Sequence, residues 1–146
     1  MSGDRVVAAA RSWIGTPYRH QASLKGVGCD CLGLLRGVWR EVMGEEPESI
    51  PPYTPDWAEA GSDALMQAAG RWLVPVHEIE PGAVLLFRWR AGLAAKHCAI
   101  ATSASSMVHA HDGACVAEAA FRPWWARHVA GVFRFPPTTT GERLDL

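Results

Sequence analysis

The sequence predicts a single α+β domain, with helices gathered in its N-terminal half and a mostly antiparallel β-sheet in its C-terminal half. Three observations predict it. Apolar residues recur at helical spacing between Val6 and Val42. After Pro81-Gly82 the pattern changes to short apolar or alternating runs separated by turn residues. No internal repeat or linker-like stretch divides the 146 residues, and a chain of that length makes one domain that buries roughly 68–70% of its unfolded surface. Helices segregated from a run of antiparallel strands define the α+β class. The domain is expected over residues 1–137, with a flexible polar tail over 138–146.

The first helix is expected from Asp4 to Ile14. Val6, Val7, Ala10, Trp13 and Ile14 share a face, and Gly15 and Pro17 end it. Residues 15–30, rich in Gly and polar groups, form a loop. A second helix runs from Cys31 to Met43 and stops at Gly44, with Cys31, Leu34, Leu35, Val38 and Val42 on its apolar face. Asp30 stands where a helix cap stands. The run from Pro47 to Pro55 holds four prolines and reads as an extended loop; Asp56 to Gly70 reads as a third helix. Ala83 to Trp89 is then a central strand. His97 to Thr102, Ser106 to Ala110 and Cys115 to Ala119 are short strands at hairpin spacing, with a turn at Asp112-Gly113, and Val129 to Phe135 is the last strand.

Composition excludes several classes of function. The formal net charge is −1, which gives no electrostatic case for nucleic acid or an anionic membrane as partner. No stretch approaches the ~18 apolar residues of a membrane span. Met1 to Val7 carries no basic segment followed by a long apolar one, so synthesis in a reducing cytoplasm without a signal peptide is expected. The four cysteines, Cys29, Cys31, Cys98 and Cys115, are then free thiols by default. A Cys29–Cys31 disulfide would be strained.

The chemistry-bearing residues fall in a particular order. Cys31 sits where a Gly-containing loop becomes a helix, and the helix N-terminus favours thiolate over thiol. His97 begins a strand, and His109 follows twelve positions later, room for one hairpin that sets the two imidazoles on neighbouring strands. Strand alternation puts His111 on the same face as His109 and makes it the alternative second imidazole. A nucleophile, a base and a group that fixes the base's tautomer are the parts of a thiol hydrolase. Each has a plainer reading. Free cysteines are commonly buried hydrophobes, and His97 could be a solvated loop residue.

The motifs carry a family resemblance. Asp30-Cys31-Leu32-Gly33-Leu34 resembles the Asp-Cys-Ser-Gly-Leu of the NlpC-type endopeptidases, papain-like hydrolases of bacterial cell-wall peptides. Pro81 to Phe87 resembles that family's Pro-Gly-Asp-Leu-Val-Phe-Phe, His97-Cys98-Ala99-Ile100 its His-Val-Gly-Ile, Val108-His109-Ala110 its Ile-His-Ala, and Gly15-Thr16-Pro17-Tyr18 its Gly-x-Pro-Tyr. The five run in order across about residues 5 to 135. Two features depart: Leu32 replaces Ser, and Arg19-His20-Gln21 stands where Trp-Gly-Gly is common. Thr16 to Gln21 together with Gly28-Cys29-Asp30-Cys31 is most similar to the branch found in phage tails and gene transfer agents.

The resemblance implies a papain-like NlpC fold and a cysteine peptidase with Cys31 as nucleophile, His97 as base, His109 as orienter and Tyr18 as oxyanion contributor. It implies no cofactor and no metal. The substrate implied is a peptidoglycan stem peptide, cut between γ-D-glutamyl and a diamino acid. It implies assembly with tail or baseplate proteins into a virion or gene-transfer-agent particle acting on the target cell's wall. Pro51 to Trp57 and Pro123 to Trp125 could wall a substrate groove, though core packing is the plainer expectation for tryptophan. Two other readings stay open. One is a catalytically silent structural tail adaptor. The other is a metal-binding module using Cys29, Cys31, His97, Cys98, His109, His111 and Cys115, whose spacing lacks the usual zinc pattern.

Overall fold

The computed structural model of the chain describes residues 2–48, 63–111 and 113–137. The four-proline run and the 138–146 tail therefore lie largely or wholly outside the described residues, as do Asp112 and the first part of the expected third helix. The architecture is α+β. In chain order it comprises α1 (Ser2–Arg11), β1 (Ser23–Leu24), β2 (Gly28–Cys29), α2 (Cys31–Val42), α3 (Ala64–Trp72), β3 (Val74–Pro75), β4 (Val84–Phe87), β5 (His97–Ser103), β6 (Ser106–His109), β7 (Ala117–Ala120), α4 (Pro123–Ala126) and β8 (Val129–Arg134).

Among the described residues, six strands form one sheet in the order β3-β8-β4-β5-β6-β7, paired antiparallel throughout. β4 is central and wholly buried, which its unbroken apolar run requires. Its alternation splits the core in two. Val84 and Leu86 face the helices with Ile100, Val108, Leu34 and Val38. Leu85 and Phe87 face the other side with Ala99, Ala101 and Met107, under Phe121 and Trp125. α2 buries Leu34, Val38 and Val42, each worth about 1.5–3 kcal/mol of transfer free energy. Gly37 lets Trp13 pack close against that helix, because a Cβ at Gly37 would collide with the indole.

The structure departs from the sequence reading at several edges. α1 ends at Arg11, and Trp13 reaches the core from the turn that follows. Ile14, expected on the buried face, is 46% exposed, because the helical phase is lost before it. The loop over 15–30 contains the β1–β2 hairpin. β3 and α4 were not expected: β3 includes a proline, tolerated because it lies on the sheet edge, and α4 is one turn opened by Pro123. The strand expected from Cys115 begins at Ala117.

Backbone contacts carry the loop after α1 to the sheet. Gly15 N donates to Val116 O at 2.8 Å, and Val116 N donates to Thr16 O at 2.8 Å. Arg19 N donates to Cys29 O at 3.0 Å, and Cys29 N donates to Pro17 O at 3.0 Å. Tyr18 is thereby fixed beside β2 and close to the start of α2. Among the described residues no helix is long and apolar enough to cross a membrane.

Candidate active site

Asp30 sets the position of Cys31. Its buried carboxylate caps α2, accepting from Gly33 N at 2.7 Å through Oδ1 and from Gln21 N at 2.7 Å through Oδ2. One side chain therefore ties the preceding loop to the helix start, as the cap reading expects. Gly33 has to be glycine, since a Cβ there would run into the carbonyl oxygen of Ala22. Cys31 is the first residue of the helix and is partly exposed.

Three of the four cysteines gather here, and their environments set them apart. The Cys98 thiol lies against Cys31 and donates to its carbonyl oxygen at 3.2 Å. Hydrogen bonding from Cys98 and then from His97, together with the charge of His97, holds the Cys31 thiol well below its ordinary pKa, against the opposing effect of burial. Cys98 is held well above its ordinary value by the same bond, by burial and by the charge on Cys31. Burial and the charge of Asp30 push Cys29 up to about 12. Cys31 is the thiol poised to ionise in this cluster, and Cys115 lies exposed elsewhere.

His97 opens β5 opposite Phe87 of β4 and is buried. Trp89 stacks on it with ring centroids 5.9 Å apart, and Trp125 covers it at 5.5 Å. Its Nε2 meets His109 Nδ1 at 3.0 Å. With Nε2 so engaged, Nδ1 is the nitrogen left to face the thiol. β5 and β6 form a hairpin, which brings the two histidines together at its open end. Burial, then the charges of His97 and His111, pushes His109 down to about 4, so it is a neutral ring at physiological pH. His111, just past β6, stacks on His109 at 5.7 Å and lies 5.6 Å from His97, ring to ring.

These groups open on a cleft of about 450 Å³ lined by Tyr18, Cys31, Trp89, His97, His111 and Trp124, among others. The structure thus brings Cys31, His97 and His111 to one cavity with Tyr18 at its rim, and seats His109 directly behind His97. Trp124 is 46% exposed and walls the cleft, whereas Trp125 packs on the core beneath His97, so the adjacent tryptophans divide the two roles expected of them. Pro51 to Trp57 lie outside the described residues. A second cavity, about 80 Å³, lies between α2 and α3 among Leu32, Leu35, Leu65 and Trp72. It is apolar and no cysteine or histidine lines it, so the Cys31 cleft is the candidate site.

Of the seven residues considered for a metal module, the structure groups His97, His109 and His111 as possible ligands among the described residues, without the cysteines. The sequence does not single out Cys98 as a partner of Cys31. Its place directly after His97 was the available signal, because alternation along β5 sets residues 97 and 98 on opposite faces of the strand and residue 98 packs with the α2 side of the core. Trp89 and Lys96, which also line the cleft, carried no signal beyond their proximity to His97.

A model of the NlpC/P60 family matches residues 15–134. Among solved structures, the NlpC/p60 domain of the peptidoglycan hydrolase SagA superposes with a TM-score of 0.60 at 25% identity, covering 91% of this chain and 98% of that one. A Staphylococcus aureus subsp. aureus Mu50 protein of the NLP/P60 family, similar to a lipoprotein, gives 0.63 at 19% identity, covering 94% of this chain and 42% of that one. NlpC2 from Trichomonas vaginalis gives 0.61 at 17% identity, covering 92% and 46%. The chain thus spans nearly all of the first and under half of the other two. No curated protein sequence matches it.

Proposed function

The chain belongs to the NlpC/P60 family, and from that premise we propose that it is a cysteine endopeptidase of peptidoglycan stem peptides, with Cys31 as nucleophile, His97 as base and His109 as orienter. The observation that carries this is a thiol held well below its ordinary pKa beside a histidine whose far nitrogen, Nε2, is fixed by His109 at 3.0 Å. Likeness to a domain of a peptidoglycan hydrolase supports the substrate class.

The geometry lends itself to acyl transfer. His97 Nδ1 takes the Cys31 proton, and the resulting imidazolium is oriented through Nε2–H donating to neutral His109 Nδ1. The thiolate attacks the amide carbonyl carbon. Tyr18 O–H and the backbone N–H of Cys31, at the positive end of α2, stabilise the oxyanion. His97 then delivers its proton to the departing amine, leaving a thioester on Cys31. Water, deprotonated by His97, hydrolyses the thioester and restores the thiol.

The bond cut is that between γ-D-glutamyl and a diamino acid, the bond implied by the family's motifs. The protein acts as a tail or baseplate component of a phage or gene transfer agent, which the Thr16-to-Gln21 and Gly28-to-Cys31 variants support. Mass spectrometry of muropeptides from sacculi digested by the wild type and by Cys31→Ala tests activity and bond together. New N-terminal diamino acid ends are expected with the wild type only. An unchanged muropeptide profile with folded wild type would overturn the peptidase reading.

A further inference from the structure

Three imidazoles converge at this site, and an acyl-transfer relay uses two. His97 Nε2 and His109 Nδ1 are 3.0 Å apart. His111 brings a third ring, and one ring nitrogen from each of the three lies within 4.8 Å of the other two. Two of the rings are buried and one is exposed.

Imidazole nitrogens converging in this way suit zinc and similar divalent first-row ions. Zinc–nitrogen bonds of ~2.0–2.1 Å place neighbouring ligands of a tetrahedron roughly 3.3 Å apart. The His97–His109 pair already has nearly that spacing. His111 has to close the remaining gap; it lies just past the end of β6, and its ring already sits 5.6 Å from that of His97 and 5.7 Å from that of His109. His97 and His111 both line the 450 Å³ cleft, so a hydrated ion has an approach from solvent and its fourth position can keep a water.

We infer that His97, His109 and His111 form a binding site for a divalent zinc-class ion, and that its occupation switches the peptidase off. The switching part rests on the peptidase reading; the binding part does not. Coordination at His97 Nε2 and His109 Nδ1 displaces the proton between them. His97 then loses the partner that orients it, and with Nε2 tied to a cation it is a poor base toward Cys31. The ion is an inhibitor removable by a chelator, and the metal-free chain is the active form.

A cation gripped by the Cys31 thiolate and His97 alone is the competing arrangement, and the test separates the two. Cobalt(II) is titrated into metal-free Cys31→Ala, which lacks the thiolate and needs no substrate. The expected result is the visible absorption of low-coordinate cobalt, saturating at one ion per chain and displaced by zinc. Adding His111→Ala or His111→Asn should weaken binding by at least about tenfold, the loss that even an outer partner of a metal ligand can cause. No such spectrum in Cys31→Ala, or equal affinity after both His111 changes, overturns the site. In a second arm, zinc should suppress wild-type turnover of sacculi and a chelator should restore it. The ratio of treated to untreated rate should stay nearer unity in His111→Ala, and an unchanged ratio overturns the switch. If the untreated wild type has no turnover, the peptidase reading fails while the cobalt result still decides the site.

Discussion

At the scale of single residues, the site separates three neighbouring cysteines by environment alone. Cys31 has hydrogen-bond donors and a cationic partner, whereas Cys29 and Cys98 are buried next to negative charge. Iodoacetamide should therefore modify Cys31 ahead of Cys98 and Cys115, and Cys31→Ala should remove turnover with the fold intact. Peptide mapping that finds Cys31 the slowest thiol would contradict the assignment. His97→Ala should lower the rate by about 10²–10⁴, the usual worth of a general base; His109→Ala should cost less, because an orienter transfers no proton itself. A tolerant His97 with an intolerant His111 would reverse the roles. His109 also makes stability depend on pH in a defined direction. Its folded pKa, about 4, lies below the ordinary 6.5. Between those values the unfolded chain takes up a proton that the folded chain refuses, so stability falls as pH drops from about 6.5 toward 4 and is unaffected by this group above that window. The full effect is about 3 kcal/mol. Urea titrations at pH 7.5 and pH 4.5 should show a smaller pH difference for His109→Gln than for wild type; equal differences would refute the account. That Cys31, His97 and His109 come together was legible because each sits in a motif. The contact from Cys98 was not, since it depends on how β5 packs against α2.

At the scale of elements, legibility followed length and periodicity. α2 begins at the residue the cap predicts, because Asp30 is both the sequence signal and the physical device. β4, β5 and β6 match their apolar runs within one or two residues. The elements that were missed are two-residue strands and a one-turn helix, too short to carry a period and held in place by their partners instead. Gly33 shows how such tertiary demands enter the sequence. It lies in the first turn of α2, where a helix would favour alanine on propensity, yet any Cβ would meet Ala22 O. Gly33→Ala should push the helix start away from the 19–22 loop, lower stability by ~1–3 kcal/mol, as overpacking does, and slow alkylation of Cys31. Unchanged melting temperature and thiol reactivity would mean that the loop yields freely and does not position Cys31.

At the scale of the whole molecule, the α+β class was legible because the helical and strand periods occupy separate halves of the chain. The surface was less so: of the adjacent Trp124 and Trp125, nothing in the sequence tells which one lines the cleft, and it is Trp124. A partner seated on that face would close the site to substrate. A particle-borne enzyme therefore has to be held by another surface if it is to work while attached. The net charge of −1 supplies little attraction to anionic wall polymers, so delivery by a particle remains the proposed way of bringing the domain to the wall. The expected outcome is that the protein co-sediments with tail particles from a lysate and that those particles digest sacculi. The digestion should disappear when the particles carry Cys31→Ala. Recovery only as free monomer, from cells making complete particles, would refute the tail assignment and leave the peptidase chemistry standing. Co-sedimentation of intact particles that digest only after the protein is released would instead place the attachment on the Trp124 face, with the cleft closed until detachment.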